Sequence, residues 1–150
     1  MKLALASVLL FSSAAFAEGP YIIKSSHSGF TPPEYVRHET CEVLSDRVRI
    51  TRHLGSGEAG VETVEEKKLA ISPTIANVIA RAQAEPVVER ANGLCDGPST
   101  TIATSLRGPE HVLFTTGGCG SSRKERNGPY SKILRELVDQ YCAKTYDFRD

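Results

Sequence analysis

The sequence predicts an α+β domain, an antiparallel sheet of about five or six strands with two helices on one face, stabilised by disulfides. Three observations carry that expectation. Short runs with a period of two flank a single central amphipathic stretch. Helical periodicity is confined to two segments, each opened by a proline. The four cysteines are widely spaced, which suits cross-links between distant elements and lacks the close pairs that a zinc site needs.

Tyr21-Ile22-Ile23 reads as an edge or first strand, and Ser25 to Pro33 as a loop, because serines, Gly29 and Pro32-Pro33 break any pattern. Tyr35, Cys41 and Val43 fall on one face of a second strand that runs to Leu44. Ser45-Asp46-Arg47 turns the chain, and Val48, Ile50 and Leu54 resume the alternation as the other arm of a hairpin. After the glycine-bearing turn at Gly55 to Gly60, Val61 to Ile71 predicts a further strand. Its Glu65-Glu66-Lys67-Lys68 run marks a solvated edge, where charge discourages pairing between molecules.

Ser72-Pro73 predicts a helix start, since serine caps free amides and proline is tolerated at the first helical position. Ile75, Val78, Ile79 and Ala82 then form one buried stripe, and Pro86 ends it. Asn92-Gly93 and Asp96-Gly97-Pro98 read as loop. Thr100 to Leu106 and His111 to Thr116 predict a second hairpin, with Leu106 opposite His111 and Thr101 opposite Thr116. Gly117 to Gly128 has no apolar side chain except Cys119 and reads as an exposed loop. Pro129 opens the last helix, whose stripe is Tyr130, Ile133, Leu134, Leu137, Val138 and Tyr141; Lys132 with Glu136 and Arg135 with Asp139 are spaced as i, i+4 pairs on its outer face.

Met1-Lys2, the apolar run Leu3 to Phe16 and Ala15-Phe16-Ala17 have the form of a secretory signal, so residues 1–17 are expected to be removed before Glu18, leaving a single domain of residues 18–150. The run is short for a membrane span and no later segment approaches one. The expected location is therefore periplasmic or secreted, with no membrane insertion after signal cleavage. In an oxidising compartment an even number of cysteines predicts disulfides. The hairpin brings Cys95 and Cys119 off the sheet at the same end, which pairs them and leaves Cys41 for Cys142 at the end of the last helix.

Composition excludes several classes. With 40% hydrophobic and 24% charged residues the chain is neither collagen-like nor disordered. Lys+Arg and Asp+Glu are both 18, so no net field favours nucleic acid or an anionic membrane. His27, His38, His53 and His111 have no metal-pair spacing, no serine sits in a nucleophile elbow, and the glycine loop lacks a Walker pattern. No catalytic residue, metal site or cofactor is assigned. Glu39 and Glu42 read as a wet sheet surface. The amides of the Gly117 to Ser122 loop, with Arg123 and Lys124, have the makings of an anion site, but a disulfide is the better account of Cys119.

Ser28-Gly29-Phe30 ahead of a strand, the hairpin after it, the short helix ending near Ala82, Cys95-Asp96 leading into Ile102, the His111-Val112 strand and the closing helix together resemble the small bacterial emfourin-like proteins in element order. That family includes proteinaceous inhibitors of thermolysin-type metalloproteases. The resemblance implies a binding protein whose partner is a protease or another exported protein. Members carry a double glycine before the phenylalanine and are typically without disulfides or signal peptides, where this chain has Ser28-Gly29, four cysteines and an export signal.

Two function classes follow: a non-enzymatic binding protein acting through exposed loops, with protease inhibition as its concrete form, and a small secreted hydrolase or thiol enzyme using Cys119 or a histidine. Size, disulfides and the missing catalytic constellation favour the first. Its candidate contacts are Phe30, the one large apolar side chain of its loop, with Gly29 before it and Pro32 after it, and the basic Arg123, Lys124 and Arg126 of the second loop, which would steer an acidic partner. The alternative for Phe30 is that it folds back onto the core.

Overall fold

The computed structural model describes residues 21–55, 60–91, 97–106, 110–116, 122–143 and 145. The expected signal at residues 1–17, its expected cleavage before Glu18, and the expected Cys95–Cys119 pairing fall outside the described residues. Among them the chain forms β1 (Ile22–His27), β2 (Arg37–Val43), β3 (Arg47–Leu54), β4 (Val61–Lys68), α1 (Ile75–Gln83), β5 (Val87–Ala91), β6 (Ser99–Thr104), β7 (His111–Thr116), β8 (Ser122–Arg126) and α2 (Pro129–Tyr141), with a 3-10 turn at Pro33–Tyr35.

The strands make one antiparallel sheet in the order β4-β3-β2-β1-β6-β7-β8-β5. From β1 at its middle the chain meanders outward to the β4 edge, and α1 carries it to the far edge as β5. It re-enters beside β1 as β6 and meanders out again until β8 meets β5.

Period-two alternation decides which face is covered. Ile22 stands opposite Val43 on one side and Thr104 on the other, and Cys41 opposite Ile50. These residues, with Ile75 and Ile79 of α1 and Leu134 and Val138 of α2, belong to one buried cluster. Cys41 and Cys142, at the centre of β2 and just past α2, are bridged with Cα atoms 5.9 Å apart, tying the last helix to the sheet as expected.

Several expectations need correction. There are eight described strands rather than five or six. β5, Val-Val-Glu-Arg-Ala, is exposed at every position and shows no alternation, and β8, Ser-Arg-Lys-Glu-Arg, has no apolar residue. Backbone pairing at the sheet margin holds them, which a hydrophobic pattern cannot reveal. Ser25, Ser26 and His27 belong to β1, which is a central strand, so the loop begins only at Ser28. Helix α1 begins at Ile75; Ser72 instead bonds Thr74 in the preceding turn, its Oγ 2.8 Å from Thr74 Oγ1. The second hairpin pairs Thr104 with His111 and Thr101 with Thr115, because β6 ends at Thr104 rather than Leu106 and Leu113 is an extra residue in β7 that shifts the register by one. That bulge lets Leu113 and Phe114, adjacent in sequence, both be buried. Glu39 is buried beside Lys24, Ser26 and Thr100 on the covered face, where Ser26 Oγ and Thr100 Oγ1 are 3.3 Å apart.

A candidate binding rim at one end of the sheet

Antiparallel pairing gathers strand ends. β1 ends and β2 begins at the same edge where β3 ends and β4 begins, and where β6 begins and β7 ends. The ends of β5 and β8 that flank residues 92–96 and 117–121 meet there too. The loop after β1 therefore leaves the sheet on the side where β7 ends and β8 begins, and that side forms a rim.

The loop after β1 is held by its own short-range chemistry. Ser28 N–H donates to the Arg37 carbonyl at 3.0 Å, and Arg37 N–H donates to Ser28 Oγ at 3.0 Å. Gly29 N–H donates to His27 Nδ1 at 3.0 Å, and Gly29 has φ 77°, a left-handed geometry that a Cβ would oppose. Ser28 Oγ and Thr31 Oγ1 lie 3.3 Å apart. Pro32 is extended and its carbonyl accepts from Tyr35 N–H at 2.8 Å, closing the 3-10 turn that Pro33 opens. Gly55 N–H reaches the Val36 carbonyl at 2.8 Å, joining this loop to the end of β3.

Phe30, at the tip, is 90% exposed; it does not fold back onto the core. Among the described residues Tyr35 at 66%, Leu54 at 41% and Val61 at 57% are further large exposed apolar residues of this edge. Leu54 has the parity of the core residues Val48 and Ile50 and stands opposite Val61.

The basic residues of the second candidate segment are not on a loop. Arg123, Lys124 and Arg126 are in β8 and face neighbouring groups. The Arg123 guanidinium lies 5.1 Å from the centre of the Phe114 ring and 3.4 Å from Glu125. Arg126 donates to the carbonyls of Val112 and Glu85, tying β8 to β7 and to the end of α1. Lys124 Nζ is 3.7 Å from Glu89 on β5 and half exposed. Arg135 bonds Glu125 at 3.1 Å and the Arg126 carbonyl at 2.7 Å, reaching from α2 back to β8.

One constellation escaped the sequence reading. His27 is opposite His38, His38 opposite His53, and His53 opposite Glu62, a row across four strands at the rim on the face away from the helices. The His27 and His38 rings meet edge to face at 5.9 Å, and His53 Nε2 is 2.8 Å from Glu62. Folding the hairpin about Ser45-Asp46-Arg47 is enough to pair His38 with His53. His27 was hidden because Ser25 to His27 reads as loop. Among the described residues no group of His, Cys, Asp and Glu has a geometry that could hold a metal ion.

Along the adjoining edge, Arg49 Nε bonds Glu66 at 2.7 Å and holds its carboxyl below the ordinary carboxylate range, and Arg52 lies 3.5 Å from Glu65. These pairs give Glu65 and Glu66 of β4 local partners on an exposed edge strand.

No family model, curated protein or solved structure matches the chain. No described helix is long and apolar enough to cross a membrane.

Proposed function

We propose that the chain is an exported, non-enzymatic binding protein that engages another protein through the rim. Inhibition of a thermolysin-type metalloprotease is the concrete form of that reading. The observation that supports it is Phe30, an aromatic side chain held almost wholly in solvent on a tip whose backbone is tied down by His27, Ser28 and Arg37. An exposed aromatic on a pre-ordered loop can be buried in a partner's pocket, as interface anchors are, with little further loss of chain entropy. Tyr35, Leu54 and Val61 extend the apolar surface on the same edge, and Lys124 contributes to steering rather than to holding.

The test is an inhibition panel of thermolysin-type and other secreted proteases with the oxidised protein. Stoichiometric inhibition, survival of the inhibitor uncleaved, and a loss of potency of about 30-fold or more in Phe30→Ala, an anchor-sized effect, are the expected results. A panel with no inhibition and no complex formation would retire the reading.

A further inference from the structure

We propose that His27 makes the rim acid-labile: its protonation breaks the bond that holds Gly29 and releases the Phe30 tip, so that engagement of the partner weakens on acidification. This rests on the rim-binding reading for its consequence, though not for its chemistry.

A nitrogen that accepts an N–H bond must carry a lone pair, so the 3.0 Å contact from Gly29 N–H to Nδ1 requires a His27 with its proton on Nε2. Once Nδ1 is protonated, two donors face each other across that distance and the contact turns repulsive. Histidine is the side chain that ordinarily changes charge between about pH 5 and 8. The groups around His27 among the described residues are few. From β2 it faces His38, a second imidazole at 5.9 Å. From β6 it faces Ser99, which carries no charge. Further along the row stand His53 and Glu62, which pair with each other at 2.8 Å, and the described acid of the loop itself is the exposed Glu34. Arg37 has the parity of the opposite face. The base of the loop is held separately by the Ser28 and Arg37 bonds, none of which involves a group that titrates near neutrality. Acid therefore loosens the tip, which keeps only the Ser28–Thr31 contact across it, and leaves the sheet intact.

The experiment follows the ¹⁵N-labelled protein by NMR from pH 7.5 to 5.0. The Gly29 amide resonance is expected to titrate together with the His27 ring, and its hydrogen-exchange protection to fall by about tenfold beyond the intrinsic pH effect, the scale of one lost hydrogen bond. His27→Asn, whose side-chain oxygen is a non-titrating acceptor at the Nδ1 position, is expected to abolish both changes. His38→Asn is expected to keep them, which separates the Gly29 bond from general repulsion in the row. A Gly29 amide that ignores pH in the wild-type protein, or that still titrates in His27→Asn, overturns the proposal; the wild-type titration alone decides if a variant fails to fold. In a second arm, the inhibition constant against thermolysin is expected to weaken about tenfold between pH 7.5 and 5.5 in the wild type and not in His27→Asn. Thermolysin left uninhibited at every pH, with Gly29 titrating as described, supports the switch and refutes only the protease reading.

Discussion

Removing the Glu85 carboxylate is expected to destabilise this fold well beyond an ordinary surface change. Helix α2 begins Gly128-Pro129, so it has no capping side chain of its own, and its first free amides need a partner from elsewhere. Glu85, just past α1, supplies it. Its Oε1 accepts from Tyr130 N–H at 2.8 Å and its Oε2 from Ser131 N–H at 2.9 Å and from the Ser131 hydroxyl. Arg81 strengthens the same junction through Tyr130 Oη at 2.6 Å. An N-terminal cap is worth about 0.5–2 kcal/mol, and the favourable placement of a negative charge at a helix start about 0.3–1 more. The buried Ser131 hydroxyl would also be stranded, so Glu85→Ala is expected to cost about 3 kcal/mol. Glu85→Gln keeps one acceptor but turns a donor toward the other N–H, and about 2 kcal/mol is expected.

The pH dependence gives a second readout. Burial alone would raise the Glu85 carboxyl, but the bonds from Ser131 and Tyr130 and the nearby Arg135 charge outweigh it and hold it below the ordinary range. A carboxyl depressed in the folded state stabilises fully above its unfolded value, about 4.3, and loses that contribution as pH falls through the folded value. Urea unfolding of wild type and Glu85→Gln from pH 7 to pH 3 should show a gap that is constant at neutral pH and closes in acid. A cost below about 0.5 kcal/mol for Glu85→Ala, the level of an ordinary surface change, or a gap unchanged across that range, would refute the capping role.

Other expectations are simpler to check. Gly128→Ala places a Cβ on the Glu85 carboxylate at a backbone geometry any residue adopts, so it should destabilise by about 1–3 kcal/mol in wild type and be nearly silent in a Glu85→Ala background, as measured by a double-mutant cycle. Replacing Cys41 and Cys142 together by alanine opens a loop closed across 101 positions, for which the chain-entropy relation gives about 4.7 kcal/mol as an upper figure; the urea midpoint should fall accordingly. Phe30→Ala should leave thermal stability within about 0.5 kcal/mol of wild type, as an exposed side chain requires, which makes any lost potency a binding effect.

Much of the fold was legible in the sequence because its signals are local. Cys41, Val43, Val48 and Ile50 alternate, and Ile75, Ile79 and Ala82 repeat at helical spacing, so the hairpin and both helices follow from periodicity alone. Pairing Cys41 with Cys142 followed from which strand and helix ends remained once the second hairpin was drawn. Phe30 was legible as a candidate, but its exposure was open between a contact and a core side chain, since one aromatic in a loop carries no period.

Tertiary structure alone decided the rest, and for one reason: those features depend on partners far along the chain. β5 and β8 are strands because neighbouring backbones complete their hydrogen bonds, whatever their side chains. Arg123 and Arg126 have partners within the fold because Phe114, Val112 and Glu85 come to meet them. Three histidines that stand singly in sequence form a row only when β1, β2 and β3 are set in register. Local pattern determined the core elements and which faces they bury; register, a long-range property, determined which side chains of the rim meet.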